Sequence, residues 1–272
     1  MKTRYRFALS VVLSCLTLSL TSCKKESSED GCTPGAGLHS TDILGSDLSD
    51  GQISLTFDDG PSVHTERLLD GLKKHGITAS FFVIGFPAKS NLDLLERMKK
   101  EGHLVGNHTF THPDITKSSN PVAEVMRTDE VISPYVTGDM FLFRPPFGVW
   151  GDAVAQRLNG EGLAKYVGPI HWDIGDSGTE YTSDSECWTN GKTTEECGEI
   201  FLNEIKTKRK GIVLLHDSHE KTVTMILDLI PKIKALGMEF VRLDKTPGIR
   251  SLLVAGGGKP DTIDGPASCF DY

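Results

Sequence analysis

From residue 51 onward, short apolar runs alternate with stretches in which apolar positions recur every three or four residues. Residues 53–57, 79–84, 103–106, 141–144, 167–172, 211–216 and 238–243 are short runs of the kind that form buried strands. Between them, residues 65–74, 92–100, 122–131, 153–158, 195–208 and 223–236 carry helical periodicity. Leu68, Leu69 and Leu72, for example, fall on one helical face, with Glu66, Lys73 and Lys74 away from it. Strand–helix alternation predicts parallel strands joined by right-handed crossovers. Seven such units predict an α/β fold, a distorted (β/α)7 TIM-like barrel, with an open doubly wound sheet as the alternative. Two longer segments, residues 173–192 and the Gly/Pro-rich tail from Asp244, break the rhythm as irregular stretches. The expected organisation is a signal at 1–22, a polar tether at 23–49, one domain at 50–243 and an extension at 244–272 packed on it.

Polar residues collect where the predicted strands end. Asp58 and Asp59 close the first strand, Asn107 and His108 follow the third, and Arg144-Pro145-Pro146-Phe147-Gly148 ends the fourth. Trp172-Asp173 ends the fifth and His216-Asp217 the sixth. In parallel α/β barrels the carboxyl ends of the strands are where sites are built.

The first cluster sets the chemical problem. In Thr56-Phe57-Asp58-Asp59-Gly60-Pro61, two adjacent carboxylates stand at a strand end before a forced turn. Bringing both into one cleft is unfavourable unless a cation or proton compensates. His108 and His112 lie four apart, and Pro113 disfavours helix at His112, so a strand-end turn is expected. Two neutral imidazoles and a carboxylate form a facial set for a zinc-type ion; the competing reading is a pair of surface histidines. Arg144 offers a fork donor that can hold a carboxylate ionised and oriented, and the backbone after Pro145-Pro146 could face an oxyanion. His216, pinned to the buried run 212–215, has the pKa range for proton transfer near neutrality, against the alternative of a satisfied core histidine.

Composition narrows the surroundings. The 272 residues are 38% hydrophobic and 24% charged, with a formal net charge of -8. Loss of residues 1–22 with Lys2, Arg4 and Arg6 would make the charge three units more negative, which argues against nucleic acid or anionic lipid as the main partner. A basic start and a short apolar run read as a secretory signal, not a membrane span. Leu20-Thr21-Ser22-Cys23 resembles a lipobox, so Cys23 is the expected anchor and the only expected membrane contact. Cys32, Cys187, Cys197 and Cys269 remain, an even number in an exported chain. Cys187–Cys197, flanking a short loop, and Cys32–Cys269, near opposite ends, are the predicted disulfides; a zinc knuckle is the rival, but no spacing matches one.

Thr-Phe-Asp-Asp-Gly-Pro, His-Thr-Phe-Thr-His-Pro, Arg-Pro-Pro-Phe-Gly and Leu-Leu-His-Asp occur here in the order and rough spacing of the polysaccharide deacetylase (NodB-homology) domain, carbohydrate esterase family four. The resemblance covers roughly residues 50–243. It implies metal-dependent removal of N-acetyl groups from amino-sugar polymers by an enzyme acting on linear amides. On that resemblance Asp58 is the general base, and Asp59, His108 and His112 hold one divalent metal ion, zinc first, with cobalt or nickel as alternatives. Arg144 orients the base, His216 is the general acid, the Phe147 N–H serves the oxyanion, and Leu214 walls the acetyl pocket. The chain departs from the family at the Asp-Trp pair after strand five. Asp184 is the expected His216 partner, with Ser185 in place of the Trp; Asp173 and Asp176 are rivals. Peptidoglycan N-acetylglucosamine is the expected substrate, with chitin oligomers or glycan binding without turnover as alternatives. A monomer in the periplasm or cell envelope is expected, with no nucleic-acid partner.

Overall fold

The computed structural model describes residues 37–175 and 182–260. In chain order they form β1 (Leu38–Ile43), β2 (Gln52–Asp58), α1 (Thr65–His75), β3 (Ser80–Val83), α2 (Gly85–Ala88), α3 (Leu92–Lys100), β4 (Leu104–Asn107) and α4 (Pro121–Ile132). After these come α5 (Asp152–Leu158), β5 (Gly168–Ile170), α6 (Asp184–Thr189), α7 (Thr194–Lys208), β6 (Gly211–His216), α8 (Glu220–Ala235), β7 (Glu239–Phe240) and α9 (Pro247–Ala255). Among the described residues, no helix is long and apolar enough to cross a membrane.

β2 is the axis of the sheet. It pairs in parallel with β6 from Ile53↔Gly211 to Asp58↔His216, with β3 along its second half and with β7 at its start. Its alternation explains why it belongs there. Ile53, Leu55 and Phe57 face the cluster shared with Leu68 and Leu69 of α1 and Leu229 of α8. Ser54, Thr56 and Asp58 take the opposite face, yet are also buried, because successive strand side chains alternate. β6 repeats the division: Val213 and Leu215 join the helix-side cluster, whereas Ile212 joins the inner one with Phe82, Leu104, Leu142 and Ile170.

Among the described residues all the strand pairings are parallel. One sheet runs β4-β3-β2-β6, with β7 also on β2, and β1 and β5 make a separate pair. Single bridges link them, Asn107↔Phe143 and Leu142↔Val167 on one side and Ile174↔Val213 on the other. The ring is therefore interrupted, consistent with a distorted (β/α)7 barrel without continuous closure.

Four expectations change. The strand expected at 141–144 is reduced to those bridges: Phe143 donates to Val167 O and Arg144 to Asn107 O, and Pro145-Pro146 then supply no N–H to extend a ladder. Residues 38–43, expected in the tether, are β1. The Asn159 amide accepts from Leu38 N and donates to Leu38 O, and Trp150 donates to His39 O, so tertiary partners make this mostly polar segment a strand. The stretch 173–192 is not irregular throughout, because Ser183 and Glu186 form a capping box that starts α6. The Gly/Pro-rich tail, expected as an irregular stretch, forms α9, whose Ile249, Leu252 and Leu253 share the inner cluster with Leu104 and Ile212. Each such side chain contributes about 1.5–3 kcal/mol by burial. The Cys187–Cys197 disulfide is formed. The signal, Cys23, the Cys32–Cys269 pair and Asp176 lie outside the described residues.

Candidate active site

Asp58 ends β2 on the inner face, where Arg144 waits. The guanidinium is fully buried. It donates through one nitrogen to Asp58 Oδ1 (2.7 Å) and Thr56 Oγ1 (2.8 Å), and through the others to the Ile170 and His171 carbonyls. A charge so deeply buried is tolerated only when paired and hydrogen-bonded, and every contact here meets that need. Asp58 is thus held with its second oxygen toward the cleft, 3.7 Å from His108 Nε2.

Asp59 leaves the strand with φ 72°, in the left-handed region. That turn brings its carboxylate round to the same cleft as Asp58 instead of to the opposite face. Its Oδ1 lies 3.3 Å from His112 Nε2 and 3.6 Å from His108 Nε2. His112 and Phe147 also have φ 60°, so three residues around the cleft share a costly backbone conformation.

The donor set fits a cation. His108 Nδ1 faces the Arg144 carbonyl at 2.8 Å, and a carbonyl only accepts, so Nδ1 carries a proton and Nε2 is the ring nitrogen turned to the cleft, where the neutral ring would offer its lone pair. Burial, and then the neighbouring His108, lower the His112 pKa, which favours its neutral, ligating form. Asp59 Oδ1 is enclosed without a hydrogen-bond partner among the described residues. Lone pairs converging on an unpaired carboxylate oxygen are repulsive unless a positive ion lies between them. One ligand atom from each of Asp59, His108 and His112 falls within 4.8 Å of the others.

On β6, directly beside Asp58 in register, stands His216. Its Nδ1 is 2.7 Å from Asp184 Oδ1, and Asp184 Oδ2 accepts from His216 N and the Thr222 hydroxyl. Burial works to lower the His216 pKa. The Asp184 charge and hydrogen bond outweigh it, with smaller contributions from Asp58 and Asp59, and raise it to about 9. The Asp173 carboxylate is instead occupied by the Gly45 and Ile212 amides.

These groups surround one cavity of about 260 Å³, lined also by Pro145, Phe147, Gly148, Trp172, Ser183, Ser185 and Leu214. Phe147 is 65% exposed, with its ring 4.5 Å from that of His112. All the expected site residues except Arg144 and Asp184 line the cavity, and those two lie behind Asp58 and His216. Sequence reasoning passed over three others. Thr56 shares the inner face of Asp58 two residues on, a signal period-two alternation could have given. Trp172 was legible only as a strand-end aromatic. Asp217, fully buried, accepts from Thr65 and fills the space a side chain at Gly60 would need, behind the Asp58-Asp59 turn. Burial, partly offset by the Thr65 bond, pushes its pKa up to about 7, with Asp59 and Asp58 adding.

The polysaccharide deacetylase family pattern matches residues 45–165. A chitooligosaccharide deacetylase of Rhizobium leguminosarum bv. trifolii is 33% identical over 72% of this chain and 91% of its own. The peptidoglycan-N-acetylglucosamine deacetylase of Listeria monocytogenes is 31% identical over 72% of this chain, and the match spans 39% of the Listeria protein's length. Among solved structures, the chitin deacetylase of Colletotrichum lindemuthianum superimposes with a TM-score of 0.61 at 31% identity, covering 76% of this chain and 91% of that one.

Proposed function

The chain belongs to the polysaccharide deacetylase family, and from that premise we propose that it is a metal-dependent hydrolase that removes N-acetyl groups from amino-sugar polymers, N-acetylglucosamine of peptidoglycan first. The observation that carries this reading is the pairing, across one cavity, of an arginine-held carboxylate beside a three-ligand cluster with a histidine backed by its own carboxylate.

Asp59, His108 and His112 would hold a divalent ion, zinc by preference, which when bound supplies Lewis-acid polarisation of the acetamide carbonyl and acidifies water. Asp58, held in place by Arg144, takes the proton from the attacking water. The Phe147 N–H, set by the Pro145-Pro146 turn, donates to the oxygen on which charge develops. Leu214 receives the acetyl methyl group. His216, its proton held by Asp184, protonates the leaving amine, and acetate departs. In this scheme the two adjacent carboxylates carry different burdens, one the ion and the other a proton. The basic-then-apolar start and the placement of Cys23 support export and a lipid anchor in the cell envelope. The acidic charge balance supports a partner other than nucleic acid, and the reading takes the enzyme as a monomer.

Acetate release from peptidoglycan and from penta-N-acetylchitopentaose, with and without chelator, tests the proposal. Chelation should abolish release and added zinc should restore it. Saturable glycan binding with no acetate from either polymer would point to a binding protein instead.

A further inference from the structure

Asp217 is a fully buried carboxyl group that takes no part in the proposed reaction. It follows His216 at the end of β6 and lies against the turn that begins at Asp59. Gly60 is where the two meet. A Cβ on Gly60 would fall within 3.0 Å of the Asp217 Cγ and of both its carboxyl oxygens, closer than real side chains approach. Gly60 does not have a positive φ, so this position requires glycine for space and not for conformation. Asp217 Oδ1 is enclosed with no hydrogen-bond partner among the described residues, so that oxygen acts through the space it fills.

The same residue is tied to the next part of the turn. The Thr65 hydroxyl donates to Asp217 Oδ2 and accepts from Ser62 N at 2.8 Å. The Ser62 hydroxyl donates to the Asp217 carbonyl at 2.6 Å and accepts from His64 N at 3.0 Å. Ile84 N, just past β3, donates to the Gly60 carbonyl at 3.0 Å, so the ends of β3 and β6 hold the turn between them. Immediately before this clamped segment stands Asp59, with φ 72° and its Oδ1 toward His108 and His112. A residue other than glycine keeps that conformation only where its surroundings fix it. We propose that Asp217 is a positioning residue for the metal site: its carboxyl packs against Gly60 and sets the turn that aims Asp59 at the ion. This rests on the metal-site reading above and deepens it by one layer. Asp217 touches neither ion nor substrate and acts through Asp59.

The test is a double-mutant cycle read on zinc affinity, measured by competition against a chromophoric chelator. Gly60→Ala and Asp217→Ala should each weaken zinc binding by about 10–100-fold, the usual effect of losing a group that orients a ligand. Asp217→Asn keeps the volume and an oxygen for Thr65, so it should bind zinc near the wild-type level. In the double variant Gly60→Ala, Asp217→Ala the new methyl group enters the space the carboxyl has left. Its loss of affinity should therefore be no larger than that of Asp217→Ala alone. Cobalt-loaded protein adds a spectroscopic check: the visible bands should shift in both single alanine variants and stay in place in Asp217→Asn. Thermal melting of the metal-free variants separates this role from a general loss of fold, and Asp217→Ser takes the place of Asp217→Ala if the latter does not fold. Folded single variants that melt lower yet bind zinc as wild type does overturn the proposal, and so do losses that simply add in the double variant. A wild type that binds no zinc sinks the metal-site reading itself, and the role of Asp217 falls with it.

Discussion

Asp58 and Asp59 are neighbours in the chain, yet Asp58 keeps the extended backbone of β2 and Asp59 adopts φ 72°. Arg144 reaches only the first, and the two histidine Nε2 atoms crowd the second. Asp58→Asn should therefore lower turnover by about two to four orders of magnitude, while metal content measured on the purified protein stays at the wild-type level. Turnover near wild type would remove Asp58 from the base role. His216 makes a separate prediction. Its pKa is raised to about 9 against an ordinary 6.5, so it stays protonated through neutrality and kcat should fall only as pH climbs through that value. Asp184→Asn removes the charge that raises it, and the alkaline limb of the kcat–pH profile should move toward 6.5. The associated stability has the same sign: it is complete below 6.5 and lost as pH rises through about 9. An alkaline limb that does not move in Asp184→Asn would exclude Asp184 as the supporting carboxylate.

At the level of the elements, α6 matters beyond its length. It carries Asp184 and Ser185 at its start and Cys187 in its middle, and Cys187 is bonded to Cys197 of α7. Closing a loop of sequence separation 10 restricts the unfolded chain and, in this place, ties the His216 support to the helical layer. The double variant Cys187→Ser, Cys197→Ser should lose about 2–3 kcal/mol in urea unfolding. Its kcat should fall more than its KM rises, because the proton donor loses its anchor while the substrate walls remain. The bridge was legible from spacing and parity of cysteines, and Ser183 and Glu186 spell a capping box, yet the surrounding polar residues masked a helix of six residues. β1 was missed for the opposite reason. Its sequence has no strong strand pattern, and Asn159 and Trp150, over a hundred positions away, organise it.

Across the whole domain, the interrupted ring depends on segments at both ends of the described chain. β1 covers β5, while α9 supplies Ile249, Leu252 and Leu253 to the inner cluster. A chain beginning at Asp50 lacks β1 and the buried Leu38 and Leu48, each worth about 1.5–3 kcal/mol. It should unfold at clearly lower urea than a chain beginning at Gly37, and equal midpoints would show that β1 is dispensable. Strand–helix alternation, the parallel fold class and the residue types at the strand ends follow from the sequence by itself, because periodicity and turn chemistry are local properties. Tertiary structure alone decided which carboxylate meets His216, which face Asp59 presents and where residues 38–43 belong. Those outcomes depend on contacts between positions far apart, 86 residues for Arg144 with Asp58 and 32 for His216 with Asp184, and on backbone torsions that only the packed fold can hold.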